Sequence, residues 1–102
     1  MVYNDLKLDN ILVGDSANSH DSMADIRLID FGLSTDYLDS EGNHIEFKEG
    51  QEFTGNMALS SKYSMNFCSL GRRDDFISLC YLLIYLRCGQ LAFLDYDPSE
   101  KD

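Results

Sequence analysis

Residues 73–88, "RDDFISLCYLLIYLRC", constrain the fold more than any other part of this 102-residue chain. Asp74 and Asp75 stand in the first turn of the expected helix, where carboxylates complement the helix dipole, and Gly89 follows as a stop. The apolar residues between Phe76 and Leu86 cover the whole circumference instead of one stripe. A helix of that kind is buried on every side, so it needs partners all round. Its longest apolar run, "LCYLLIYL" at 79–86, is too short to span a bilayer.

The rest of the chain offers few partners of regular structure. "NILVG" (10–14) is a short β-branched apolar run ended by glycine and reads as a buried strand. "IRLI" (26–29) reads as its hairpin mate, across a polar, turn-rich connection at 15–25. From Asp36 to Ser64 neither the helical nor the strand period is sustained, and Gly42, Gly50 and Gly55 punctuate the stretch. Irregular segments of that length are usually functional or disordered. The expected class is α+β: a loop, a short hairpin, a long irregular segment and one central helix.

Charge narrows the partners. Eighteen acidic against eight basic residues give a net charge of −10, and the best basic cluster, Arg72-Arg73, runs straight into Asp74-Asp75. Neither nucleic acid nor an anionic membrane surface is an expected partner, because both would be repelled. Cys68, Cys80 and Cys88 show no CxxC spacing, so they are expected to be small apolar core residues in a reducing, intracellular compartment.

Two short motifs carry chemistry. "YNDLKLDN" (3–10) places Asp5, Lys7 and Asn10 on one loop leading into the first strand, and "IDFG" (29–32) places Asp30 just after the second. Phosphoryl transfer needs a proton acceptor near the attacking hydroxyl, a cation near the moving phosphate and hard oxygen ligands for Mg2+. Asp5, Lys7 and Asn10 supply one of each, and Asp30 adds a second metal ligand. An Asp followed by Asn five residues on, then Asp-Phe-Gly across a strand–turn–strand spacing, matches the catalytic and metal motifs of protein kinases.

With "LIDFGLS", "HIEFKEGQEFTGN", "SLGRRDDFISLCYLLIYL" and "GQLAF" also in order, the chain resembles the large lobe of a eukaryotic-type protein kinase of the casein kinase 1 group. The resemblance covers about residues 2–95 and implies a partial kinase domain over 1–95, with 96–102 as an acidic tail. It implies a serine/threonine kinase using ATP and Mg2+ on protein Ser/Thr acceptors. In it Asp5 and Lys7 are catalytic, Lys7, Asn10 and Asp30 bind the nucleotide, and Asn10 and Asp30 hold metal. It implies further that Asp75 braces the catalytic loop, that 33–64 form the activation and substrate-docking segment, and that helix 73–88 is the buried post of the lobe.

Departures from that pattern matter. Tyr3-Asn4 replaces His-Arg, so a bracing His and a basic loop anchor are missing. Asn56 replaces a Thr that would hydrogen-bond the catalytic Asp and Lys, and could still donate from a different reach. Ala58 replaces an Arg of an anion-binding patch, Ala92-Phe93 replaces Pro-Trp, and Cys80 replaces a helix glycine. Neither a Gly-rich nucleotide-covering loop nor a Val-Ala-x-Lys strand is present, so the sequence reads as a fragment expected to be inactive alone. A non-catalytic relic or interaction protein is the alternative to an enzyme.

Other patterns are weaker. Aligning Gly42 to the sixth position of a calcium loop puts Tyr37 and Lys48 where carboxylates are required, which excludes that site. His20 and His44 read as solvated loop residues. Ser34, Thr35, Ser60 and Ser61 read as exposed loop hydroxyls. Lys48, Lys62, Arg72 and Arg73 could bind anions, but Arg72 and Arg73 are already offset by the neighbouring Asp74-Asp75 pair.

Overall fold

A computed structural model describes residues 1–14 and 25–90. The connection at 15–24 with His20, the Ala92-Phe93 pair and the acidic tail at 96–102 lie outside the described residues. Two strands, β1 (Ile11–Val13) and β2 (Ile26–Leu28), pair antiparallel with Ile11 opposite Leu28 and Val13 opposite Ile26. Bonds from Gly14 N–H to the Asp25 carbonyl and from Ile29 N–H to the Asn10 carbonyl extend the ladder at both ends. Two helices follow in sequence, the short α1 (Lys62–Met65) and the 17-residue α2 (Arg72–Cys88), with 3-10 turns at Leu8–Asn10 and Met57–Leu59. The segment between β2 and the second turn holds only isolated bridges, Val2 with Thr35 and Leu38 with His44. The class is α+β, with the irregular segment where the sequence puts it.

Helix α2 begins one residue before its expected start. The Asp74 carboxylate accepts from Gly71 N–H at 2.7 Å, and Asp74 N–H donates to the Gly71 carbonyl at 3.1 Å. Reciprocal bonds of this kind satisfy donors that a helix start leaves unpaired. At the other end Gly89 adopts the left-handed conformation (φ 77°) and donates to Tyr85 O at 2.7 Å, while Arg87 complements the dipole.

What surrounds α2 is not what its sequence calls for. Leu82, 2% exposed, packs with Leu59 of the second 3-10 turn, flanked by Leu6, Ile11 and Tyr81. The opposite faces are bare: Phe76 is 66% exposed, Leu83 56% and Leu86 58%. The central helix is therefore not buried within this chain. It forms one wall of an open apolar groove of about 760 Å³ whose other wall is the strand pair. β1 is likewise not the buried strand expected, since Leu12 is 50% and Val13 70% exposed. Of the cysteines only Cys68 lies inside, and Cys80 and Cys88 are exposed on α2. The cause is geometric. The molecule is a slab 18 Å thick with a radius of gyration of 16.5 Å, against about 13 Å for a compact chain of this length. A slab one helix deep can cover only one side of that helix.

Candidate active site

The site is built at the buried end of α2. Asp75 sends its carboxylate to the loop backbone, accepting from Tyr3 N–H at 2.7 Å and from Asn4 N–H at 2.9 Å. This is the bracing contact anticipated for that residue, and hydrogen bonds to an ionised acceptor are the stronger kind. Asn4 takes a left-handed conformation (φ 70°), which turns the chain so that Asp5 follows into the interior at 5% exposure. Gly55 lies against that turn. A Cβ there would stand 2.0 Å from the Asn4 carbonyl oxygen, so only glycine allows the approach.

The 3-10 turn Leu8–Asn10 then folds Asn10 back over Asp5. Asn10 Nδ2 donates to the Asp5 carboxylate and to the Asp5 carbonyl, each at 2.9 Å. Both residues are 5% exposed. Lys7 Nζ stands 3.9 Å from the other carboxylate oxygen, with its side chain 37% exposed and able to reach outward. Asp5, Lys7 and Asn10 thus come together as one constellation.

Asp30 arrives from β2. Ile29 pairs with Asn10, and the next residue takes a left-handed conformation (φ 58°) that ends the strand. Its side chain is exposed, with one oxygen accepting from Gly32 N–H at 3.2 Å. The donors available to a cation here are the Asn10 amide oxygen and the Asp30 carboxylate. Both are hard oxygens, a set that suits Mg2+ completed by water and phosphate oxygens. No group of three or more His, Cys, Asp or Glu side chains converges as a metal cage among the described residues.

Tyr3 and Asn4 do work that the sequence did not reveal. The Tyr3 hydroxyl donates to the Ile29 carbonyl, and its ring meets Phe31 edge-on at 5.3 Å. A phenol thereby joins the loop to the Asp30 segment where a histidine was missed. Burial pushes the Tyr3 phenol above its ordinary pKa; the charges of Asp5, Asp30 and Asp75 add to this and the Asn10 side chain opposes it. Asn4 Nδ2 donates to the Leu33 carbonyl at 3.0 Å and to Thr35 Oγ at 2.9 Å, and Val2 and Thr35 exchange backbone bonds of 2.7 and 2.9 Å. The loop anchor is polar instead of basic. The side-chain hydrogen bonds span 26 to 31 residues of sequence, so no local pattern could have disclosed them.

Three other expectations change. Asn56 does not reach toward Asp5; its side chain caps the second 3-10 turn, accepting from Ala58 N–H at 3.0 Å. Ser61 is 1% exposed, not a loop hydroxyl in solvent: it donates to Asp74 and accepts from Ser64 N–H as the cap of α1. Ser60 is half-buried and bonded to the Asn56 carbonyl.

No protein-family model matches the chain. Among curated proteins, a probable casein kinase I homolog from Encephalitozoon cuniculi (strain GB-M1) is 33% identical over 98 residues, 96% of this chain. The relation is kinase-like. The chain spans about 29% of the length of that relative. No helix among the described residues is long and apolar enough to cross a membrane.

Proposed function

We propose that this chain is the catalytic-loop portion of a casein kinase 1-like serine/threonine protein kinase, which transfers the γ-phosphate of ATP to a Ser or Thr hydroxyl of a protein substrate. The observation that carries the reading is Asp5: a buried carboxylate held by Asn10, on a loop that Asp75 ties to α2. Asp5 is the acceptor for the substrate hydroxyl proton. Asn10 fixes its orientation through one oxygen, which leaves the oxygen facing Lys7 to meet the substrate. Lys7, on the exposed side, contacts the phosphate in transfer. Asn10 and Asp30 would hold Mg2+, which when bound supplies charge neutralisation at the phosphates. Residues 33–64 receive the substrate, and the Asn4 and Val2 contacts fasten the start of that segment to the loop. An intracellular setting fits this activity.

The bare apolar face of α2 favours a second reading, an interaction protein that keeps the loop without turning over ATP. Activity separates the two. In a polypeptide that carries this chain together with a nucleotide-covering lobe, Asp5→Asn should lower phosphoryl transfer at least a hundredfold while ATP still binds. Asp30→Ala should instead weaken Mg2+-dependent ATP binding. Near-normal turnover in both variants would remove the enzyme reading.

A further inference from the structure

A small cavity lies where three parts of the chain meet: the turn at Asn4, the segment that carries Thr54 and Ser64, and the first turn of α2 with Asp74 and Asp75. Its volume is about 10 Å³. Among the described residues that line it, Leu70 alone is apolar. Voids that stay empty in proteins are apolar, whereas polar ones of sufficient size take up water.

One polar atom at this cavity is orphaned. Asn4 Nδ2 donates to the Leu33 carbonyl and to Thr35 Oγ, but the Asn4 amide oxygen is buried and accepts from no donor among the described residues. Turning the amide over is no remedy, because its oxygen would then face the Leu33 carbonyl, acceptor against acceptor. The orientation is therefore fixed. Buried acceptors in folded proteins nearly always find a donor, from the protein or from ordered water.

The neighbouring hydroxyls are divided between spent and unspent protons. Ser60, Ser61 and Ser78 give theirs to the Asn56 carbonyl, the Asp74 carboxylate and the Leu59 carbonyl. The hydroxyls of Thr54 and Ser64 are unengaged among the described residues. Asp75 spends its two oxygens on Tyr3 N–H and Asn4 N–H, and each keeps a second lone pair. An occupant must therefore give protons to the Asn4 oxygen and to a carboxylate, and accept one from Thr54 or Ser64. It must also fit a volume that holds about one water molecule, roughly 10–15 Å³.

We infer that this cavity is a binding site for one ordered water molecule, held by Asn4, Thr54, Ser64 and the carboxylates at the start of α2. Water is small enough, and it both donates and accepts. Its place gives it a task. Asn4 turns the chain into Asp5, and Thr54 precedes Gly55, whose missing Cβ admits that turn. The water bolts the two segments together and so supports Asp5 from outside the Asp5–Asn10 pair. This holds whether or not the chain turns over ATP.

The test is a crystal structure of the 102-residue chain, unaltered and as Thr54→Val/Ser64→Ala, with a rubidium chloride soak of the unaltered crystals. The unaltered chain should show a fully occupied water about 2.5–3.0 Å from Asn4 Oδ1. The double variant removes both hydroxyl donors and keeps the acceptors, so its water peak should fall to less than half. Ser40→Ala, an exposed hydroxyl outside the cavity, should leave the peak unchanged. Should the double variant fail to fold, Thr54→Val alone, which keeps the side chain's size, decides by the same fall. An anomalous rubidium peak would assign the site to a monovalent cation and overturn the water. An unoccupied cavity in the unaltered chain, a protein donor seated on Asn4 Oδ1, or a peak undiminished in the variants would overturn it equally.

Discussion

The two ends of α2 sit in opposite environments. At its start the buried groups are polar: Asp5, Asn10, Ser61, Ser64 and Asp74 are each at most 6% exposed, and the hydrogen bonds among them and to the backbone are short and mutual. Beyond Leu82, the apolar side chains of Leu83, Ile84 and Leu86 are bare. A burial rule for hydrophobic residues alone would predict the reverse. The contrast teaches that local geometry at the loop is set by directional bonds, whereas the apolar face depends on surface that this slab does not provide. An unmade bond to a buried polar group costs more than a typical made bond contributes, so the network holds its shape even where the core is thin.

Breaking the polar end should therefore matter most. Asp75→Ala removes two charge-assisted bonds to the loop and should cost about 3 kcal/mol, read as a fall in the denaturation midpoint. An unchanged midpoint would mean that the loop is held by something other than α2.

That dependence on Asp75 also shows how much was legible beforehand. The extent of α2, the strand pairing, the irregular middle and the grouping of Asp5, Lys7 and Asn10 follow from short-range patterns. Phe76, Leu83 and Leu86 gave the right helix and the wrong surroundings, because circumferential hydrophobicity states what a helix needs and not what its chain supplies. Ser61 looked like a solvent hydroxyl because its partner Asp74 is thirteen residues away. Tyr3 and Asn4 looked like losses because their replacement contacts appear only in three dimensions.

A smaller effect should come from Tyr3→Phe, which leaves the Ile29 carbonyl without its donor and should cost about 1 kcal/mol. It carries a pH signature. The folded phenol titrates above its ordinary value, mainly because it is buried. The folded state therefore keeps its proton where the unfolded chain has lost it, and stability is present below the unfolded pKa, near 10, and is lost as pH rises through the folded one. Tyr3→Phe should remove that alkaline loss. An identical alkaline slope in both proteins would place the titration elsewhere.

The least effect belongs to the bare face. Leu83→Ser should change stability by no more than about 0.5 kcal/mol, while lowering the fluorescence of a hydrophobic dye bound in the groove. A loss of several kcal/mol would show that the groove closes in solution.

Amide hydrogen exchange of the 102-residue chain tests the difference between the two regions most directly. Tyr3 and Asn4, both bonded to Asp75, together with Asn10 and Thr35, should exchange far more slowly than the exposed amides of Phe47 and Glu49. In Asp75→Ala the protection should vanish at Tyr3 and Asn4 first. Exchange at those amides as fast as at Phe47 and Glu49 in the unaltered chain would contradict a loop held ready by α2.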